Sequence, residues 1–327
     1  MPDPIPASKT FSKHLRPHGG GDDVSLDASV SEGFLWTHIH WEDAEGLSWL
    51  KDRSGLQLHT IEALLAPDTR PRCTVFKTVN GDGAFINLRG VNLNAGASPE
   101  DMISIRIWVE KGRVISVWKR SLRAVADLVE GIERGQGPAS PDDLIAKLAL
   151  RLADRAEPVV ATLNETVDRM EEDVLAGHPN RAFRAELAEL RRTAIVLRRF
   201  MFPQRDALST LEIEDLEWLT EKGRARLREA TDRIIRLSEE LDAIRDRAIV
   251  VHDQVVEARG EVMNRSMLVL SVVAAIFLPL GLLTGLLGIN VGGIPGEHTS
   301  WAFWAVCALL AGTTVFQLWL YKKLRLI

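Results

Sequence analysis

The chain has 327 residues, enough for a soluble domain with its own core plus an attached membrane unit. A formal net charge of -5 is too mild to suggest a nucleic-acid surface. Apolar residues make up 46% but are unevenly placed: from Met267 to Leu320 the only ionisable side chains are Glu297, His298 and Cys307.

Residues 1–30 carry Pro2, Pro4, Pro6 and the triple glycine Gly19, Gly20, Gly21, with no apolar stretch of the leader type, and are expected to form a flexible arm. His14 and His18 stand four apart there, an incidental spacing if the arm is mobile. Residues 31–140 read as a cytoplasmic mixed α/β domain. Strands are expected over 34–40, 72–79, 84–93, 102–109 and 113–118, with a hairpin turn at Asn80-Gly81-Asp82-Gly83. His38 and His40 fall on one strand face, a spacing that suits zinc but lacks any accompanying cysteine cluster or HExxH motif, so a structural role is favoured. Cys73 and Cys307 lie far apart, which fits a reducing compartment better than a disulfide scaffold.

Helices are expected at about 121–134, 141–175 and 181–201, making residues 141–219 a cytoplasmic helical region. From residue 220 the chain lacks proline until Pro279. Leu227, Ala230, Ile234, Leu237, Leu241, Ile244, Ala248, Val251, Val255, Ala258 and Val262 recur at 3,4 spacing, the mark of one long helix packed along a seam. That helix is expected to run on into the membrane as a unit over 220–289.

Met267–Ile289 is an uncharged run of 23 residues and Trp301–Leu320 one of 20, each long enough to cross a bilayer core at about 1.5 Å per residue. Arg259 and Arg265 precede the first run and Lys322, Lys323 and Arg325, in the tail 321–327, follow the second. The connecting loop 290–300 has neither Lys nor Arg, so the positive-inside bias places both termini in the cytoplasm and the loop outside. Trp301, Trp304, Trp319 and Tyr321 suit the interfaces.

Two helices cannot enclose water, so a transport path would need several copies around one axis. A second stripe on the long helix suits such a path. Its cytoplasmic half holds Glu239, Asp246, Asp253 and Glu257, a vestibule that would concentrate cations; its membrane half holds Asn264, Met267, Leu270, Ser271, Ala274, Leu278, Gly281 and Gly285. A solvated helix surface, relieved by Arg245, Arg247 and Arg259, accounts for the acidic half equally well. His252 adjoins this stripe and could exchange protons near neutrality, although a stalk-packing role is the simpler one. At the outer end, Gly288-Ile289-Asn290 reads either as a helix cap or as a crown of amide and carbonyl oxygens for a hydrated cation. Glu297 and His298 could attract cations to that mouth.

Gly288-Ile289-Asn290 after a long stalk helix, with a second span and a basic tail, resembles the CorA-type divalent-cation transporters. The longer string from Phe277-Leu278-Pro279 through Leu283-Thr284-Gly285-Leu286 to Val291-Gly292-Gly293-Ile294-Pro295-Gly296 is similar to the zinc-transporting ZntB branch. So are Thr69-Arg70-Pro71-Arg72, Leu197-Arg198-Arg199-Phe200-Met201 and Pro203-Gln204-Arg205-Asp206. The resemblance covers roughly residues 30–327. It implies a homopentameric funnel in the bacterial inner (plasma) membrane, with an α/β cytoplasmic domain, a long stalk helix and two transmembrane helices. The first span would line the pore, and zinc uptake with proton coupling is the implied activity. Ile289 stands where the broader family often has Met, a position expected to point away from the ion. A family carboxylate matching Asp253 takes part in ion gating, and Asn290, Asp253 and His298 are the metal-contact candidates.

The transported ion is cargo and no cofactor is expected; Zn²⁺, Mg²⁺, Co²⁺ and Ni²⁺ are all compatible with oxygen ligands of this kind. A passive magnesium or cobalt channel and a non-transporting oligomeric anchor remain alternatives. An enzyme finds no support, for there is no nucleotide loop, nucleophile motif or metal-hydrolase spacing.

Overall fold

The computed structural model describes residues 10–67, 70–78, 81–177, 183–289, 296 and 299–323. The chain falls into two units, residues 1–252 and 253–327, and each is taken by itself.

The first unit is built on a seven-stranded sheet of β1 (Phe11–Leu15), β2 (Gly21–Val24), β3 (Phe34–His40), β4 (Arg72–Thr78), β5 (Gly81–Gly90), β6 (Ile103–Glu110) and β7 (Arg113–Trp118). Their spatial order is β2-β1-β3-β7-β6-β5-β4, and only the β3–β7 pair is parallel. Side chains alternate between faces. One face carries Ile39, Phe85, Trp108, Ile115 and Val117 under α1 (Ala44–Ser48), a π-helical turn (Trp49–Arg53) and α2 (Leu58–Leu65). Those three short helical pieces escape sequence reading because none is long enough to show a period. Asp43 opens the first by accepting the Glu45 amide at 3.3 Å.

From residue 10 on, the flexible arm expected over residues 1–30 is corrected by β1 and β2; residues 1–9 lie outside the described residues. Phe11 packs edge-on to Trp36 at 5.2 Å, and Lys13 Nζ reaches Asp23 at 2.6 Å. The glycines that suggested mobility instead make the turn. Gly19 sits at φ +87, where glycine alone is at ease, and the Arg16 and Gly19 amides close it onto Gly20 O and Arg16 O at 2.9 Å each. His14 is held to Glu32 O at 2.7 Å rather than joined with His18.

The hairpin turn is displaced as well. Gly81, Asp82 and Gly83 belong to the ladder, opposite Thr78, Lys77 and Phe76; Asn80 lies outside the described residues. Gly83 is a close-approach glycine rather than a turn residue, since a Cβ there would lie 2.3 Å from the Trp108 ring.

The helical half holds α3 (Arg123–Glu133), α4 (Pro141–Leu175), α5 (Phe183–Ile213) and the start of α6 (Glu221–Leu287). α5 outruns the expected end near residue 201 and passes through Pro203. Proline forfeits one helical hydrogen bond, and compensation comes from Gln204, whose Oε1 accepts the Arg89 amide of β5 at 2.6 Å, and from buried Ala207, Leu208 and Leu211. Thr220 caps α6, its Oγ1 accepting the Gly223 amide at 3.0 Å, and Asp142 of α4 holds it by accepting the Thr220 amide at 2.9 Å. The α6 seam is buried from Leu227 to Val255, whereas Ala258 and Val262 are exposed, shortening the expected stripe. Ion pairs fix the seam. Arg247 binds Glu171 at 2.8 and 2.6 Å, Asn164 at 3.0 Å and also Asp168, while Arg233 reaches Asp154.

The second unit contains the rest of α6 and α7 (Ala302–Lys323). Both helices have the length and apolar composition to cross a membrane, and their apolar windows are unburied. Exposed Leu, Val, Phe and Trp at this density fit lipid rather than water.

His38 and His40 are core residues. Trp36 Nε1 donates to Ser116 Oγ at 2.9 Å, Ser116 Oγ pairs with His38 Nδ1 at 2.7 Å, and the His38 ring stacks on Trp118. Burial, with the nearby His40 adding to it, lowers the His38 pKa to about 3. The histidine is therefore neutral in the fold but takes up a proton on unfolding once the pH is below about 6.5. Its contribution to stability is whole above that value and is lost as the pH falls toward 3. Thermal unfolding should show Tm dropping between about pH 6.5 and 4.5, and His38→Gln should flatten that drop. An unchanged slope in the variant would assign the effect to other groups.

Candidate functional site

In the second unit, α6 presents two unlike faces. Asn264, Met267, Leu270, Ser271, Ala274, Leu278, Gly281 and Gly285 are exposed in the single chain. Val272, Ala275, Ile276, Leu280 and Leu283 are partly covered. On the covered face Gln317 of α7 donates from Nε2 to Ala275 O at 3.4 Å. At about 100° per residue the two faces are roughly opposite, so the stripe of small and mildly polar residues is turned away from α7. Within it, Ala274, Gly281 and Gly285 leave room for close backbone approach. Asp253 and Glu257 are exposed some two to three turns before Asn264 on the same helix.

α6 ends at Leu287, and the Gly288 amide turns back to Gly285 O at 3.2 Å. Ile289 is exposed. Asn290, Glu297 and His298 lie outside the described residues.

In the first unit, Glu239 and Asp246 are exposed on the side of α6 opposite its seam. Of the arginines near them, Arg245 bonds Asp246 at 2.8 Å, while Arg247 is turned inward to α4 and does not relieve the stripe. His252 lines a groove between α5 and α6. Among the described residues no group of three or more His, Cys, Asp or Glu side chains is placed to hold a metal. Side chains of the kind exposed on the stripe suit a hydrated cation through charge and dipole.

Gln317 is the residue that sequence reading passed over. A lone amide in an apolar run is its only signal, and its role as a tie between the two spans appears once α7 is seen against Ala275.

The family model described as CorA-like Mg2+ transporter protein matches residues 31–323. The chain belongs to that family. It is 38% identical over 318 residues to the divalent cation transporter CmaX of Pseudomonas aeruginosa, covering 95% of this chain and 94% of that protein. It is 31% identical to the zinc transport protein ZntB of Yersinia enterocolitica, covering 95% and 94%. Among solved structures, full-length CmaX superposes with a TM-score of 0.83 at 37% identity, over 98% of this chain and 99% of that one. The CorA magnesium transporter of Methanocaldococcus jannaschii gives the same TM-score at 16% identity, a likeness of fold. The α/β domain, long helix and two membrane helices are thus the architecture of a transporter family, not of an enzyme family.

Proposed function

We propose that this chain moves divalent metal cations, zinc foremost, across the bacterial inner membrane through a homopentameric pore lined by α6. The reading rests on one observation above all: the stripe from Asn264 to Gly285 is exposed and faces away from α7. Copies arranged around an axis with α7 outermost would turn that stripe inward. Asp253 and Glu257 then stand at the cytoplasmic entrance, and Gly288, Ile289 and Asn290 at the far mouth, with Glu297 and His298 drawing cations to it. Both termini are cytoplasmic in this arrangement, in keeping with Lys322 and Lys323 after the second span.

Zinc favours imidazole or thiolate, whereas this path offers amide, carbonyl and hydroxyl oxygens. Selection therefore acts on the hydrated ion and leaves Mg²⁺, Co²⁺ and Ni²⁺ as competitors. The likeness to ZntB proteins supports zinc, and the likeness to CmaX supports divalent cations more broadly. A second reading, a passive magnesium or cobalt channel, gains from the lack of any carboxylate or histidine between Met267 and Ile289 to carry a proton. Flux into proteoliposomes separates the two. Uptake that accelerates with an inward proton gradient supports coupling, and uptake indifferent to it supports the channel.

Asn290→Ala should abolish flux while the oligomer survives size analysis; flux at the parent's rate would remove the mouth assignment. Reversing Asp253 and Glu257 to Lys should slow cation entry several-fold at low ionic strength and less at high salt. Equal rates in parent and variant would make these carboxylates plain surface. In membranes, a cysteine at Leu278 should react with a charged thiol reagent faster than one at Ile276. Native Cys73 interferes little, because burial and the nearby Glu214 push its thiol up to about 12, and Cys307→Ser removes the other. Equal labelling at both sites would take the stripe out of the water path.

A further inference from the structure

We propose that the groove between α5 and α6 of one copy seats the Glu239–Val250 stretch of the exposed face of α6 from a second copy of this chain, leaving Asp253 and Glu257 at the entrance. The inference rests on the ring of copies proposed above and supplies the contact that would close it.

The groove encloses about 730 Å³. Leu187, Ile195 and Ala248 make its apolar floor and Arg184, Arg191 and Arg192 its rim; among the described residues no carboxylate lines it, although Arg192 reaches Glu189 beside it at 3.5 Å. Ile195 remains 44% exposed there. On α5 the series Arg184, Ala188, Arg191, Ile195, Arg199 recurs at spacings of three and four, so cationic and apolar side chains alternate along one helical face. The exposed face of α6 repeats the pattern with the opposite sign: Glu239, Ala243, Asp246, Val250, with Val250 54% exposed. One stripe is the charge complement of the other at matching intervals.

A chain cannot satisfy itself in this way. The groove reaches α6 at Ala248, on the buried-seam side with Leu241 and Ile244, whereas Glu239 and Asp246 lie on the opposite side of that helix. Two different patches on one molecule, complementary to each other and facing apart, are the requirement for a head-to-side contact that closes into a ring. The heights agree as well. Arg198 Nε lies 2.5 Å from Asp242 Oδ1, an ion pair without hydrogen-bond alignment, and fixes the level of antiparallel α5 against α6. Ile195 then stands level with Arg245 and Arg191 with Ile249. Rotation about an axis along these helices preserves height, so the basic stripe meets Ala243 to Val250 of the next copy. Asp246, already bonded to its own Arg245, would share its second oxygen with the neighbour's rim. The floor supplies desolvated contact, and the charges set register more than strength.

The test uses the full chain in detergent with Cys73→Ser and Cys307→Ser. Oxidising the Ile195→Cys, Ala243→Cys double variant should give a ladder of cross-linked multimers up to the size of the ring, while either cysteine alone should stay a single-chain band. Separately, Arg191→Glu and Asp246→Arg should each weaken assembly at least about tenfold at low salt, and combining them should restore it. A double-cysteine protein that remains a single-chain band overturns the proposal, as does a combined charge variant no better assembled than the single ones. Assembly is read without ion flux. A ladder with no flux would leave the contact standing and remove the transport reading, whereas normal flux without a ladder would remove the contact alone.

Discussion

A pair of helices has no inside. Every apolar face in the second unit follows from that constraint: α6 and α7 can satisfy their own backbones in hydrocarbon, as any helix can, but they cannot hold water between them. The stripe from Asn264 to Gly285 is exposed in the single chain and turned away from α7. Within the first unit, α6 is held rigidly by other elements along its buried seam.

That rigidity is traceable to a few side chains. Gln204 carries α5 across Pro203 and fastens it to β5 through the Arg89 amide. Asp142 holds the amide and hydroxyl of Thr220, whose Oγ1 accepts the Gly223 amide in the first turn of α6. Arg247 collects Glu171, Asp168 and Asn164 on α4, and these partners raise its pKa further and keep it charged. Each contact joins an element to another far away in sequence, so the sheet and the helices act as one support.

Sequence periodicity carried the large features. The apolar runs, the five later strands and the long helix all declare themselves through spacing, because burial imposes a repeat of two or of about 3.6 wherever an element is long. Shorter pieces do not. The helices at Ala44–Ser48 and Leu58–Leu65 leave no period to detect. Glycine misled twice for the same reason: Gly19 and Gly83 look alike in the sequence, yet one supplies a left-handed turn and the other clears space for the Trp108 ring. The membrane stripe was legible as a pattern, but its orientation was not, for nothing in the sequence says which face α7 covers until Gln317 is found on Ala275.

The Arg247 cluster has a mechanical consequence. A helix gripped at one residue by three side chains of a neighbour cannot spin there without breaking those hydrogen bonds together, although the cluster is partly exposed. Within the first unit, rotation of α6 about its own axis is therefore resisted at Arg247.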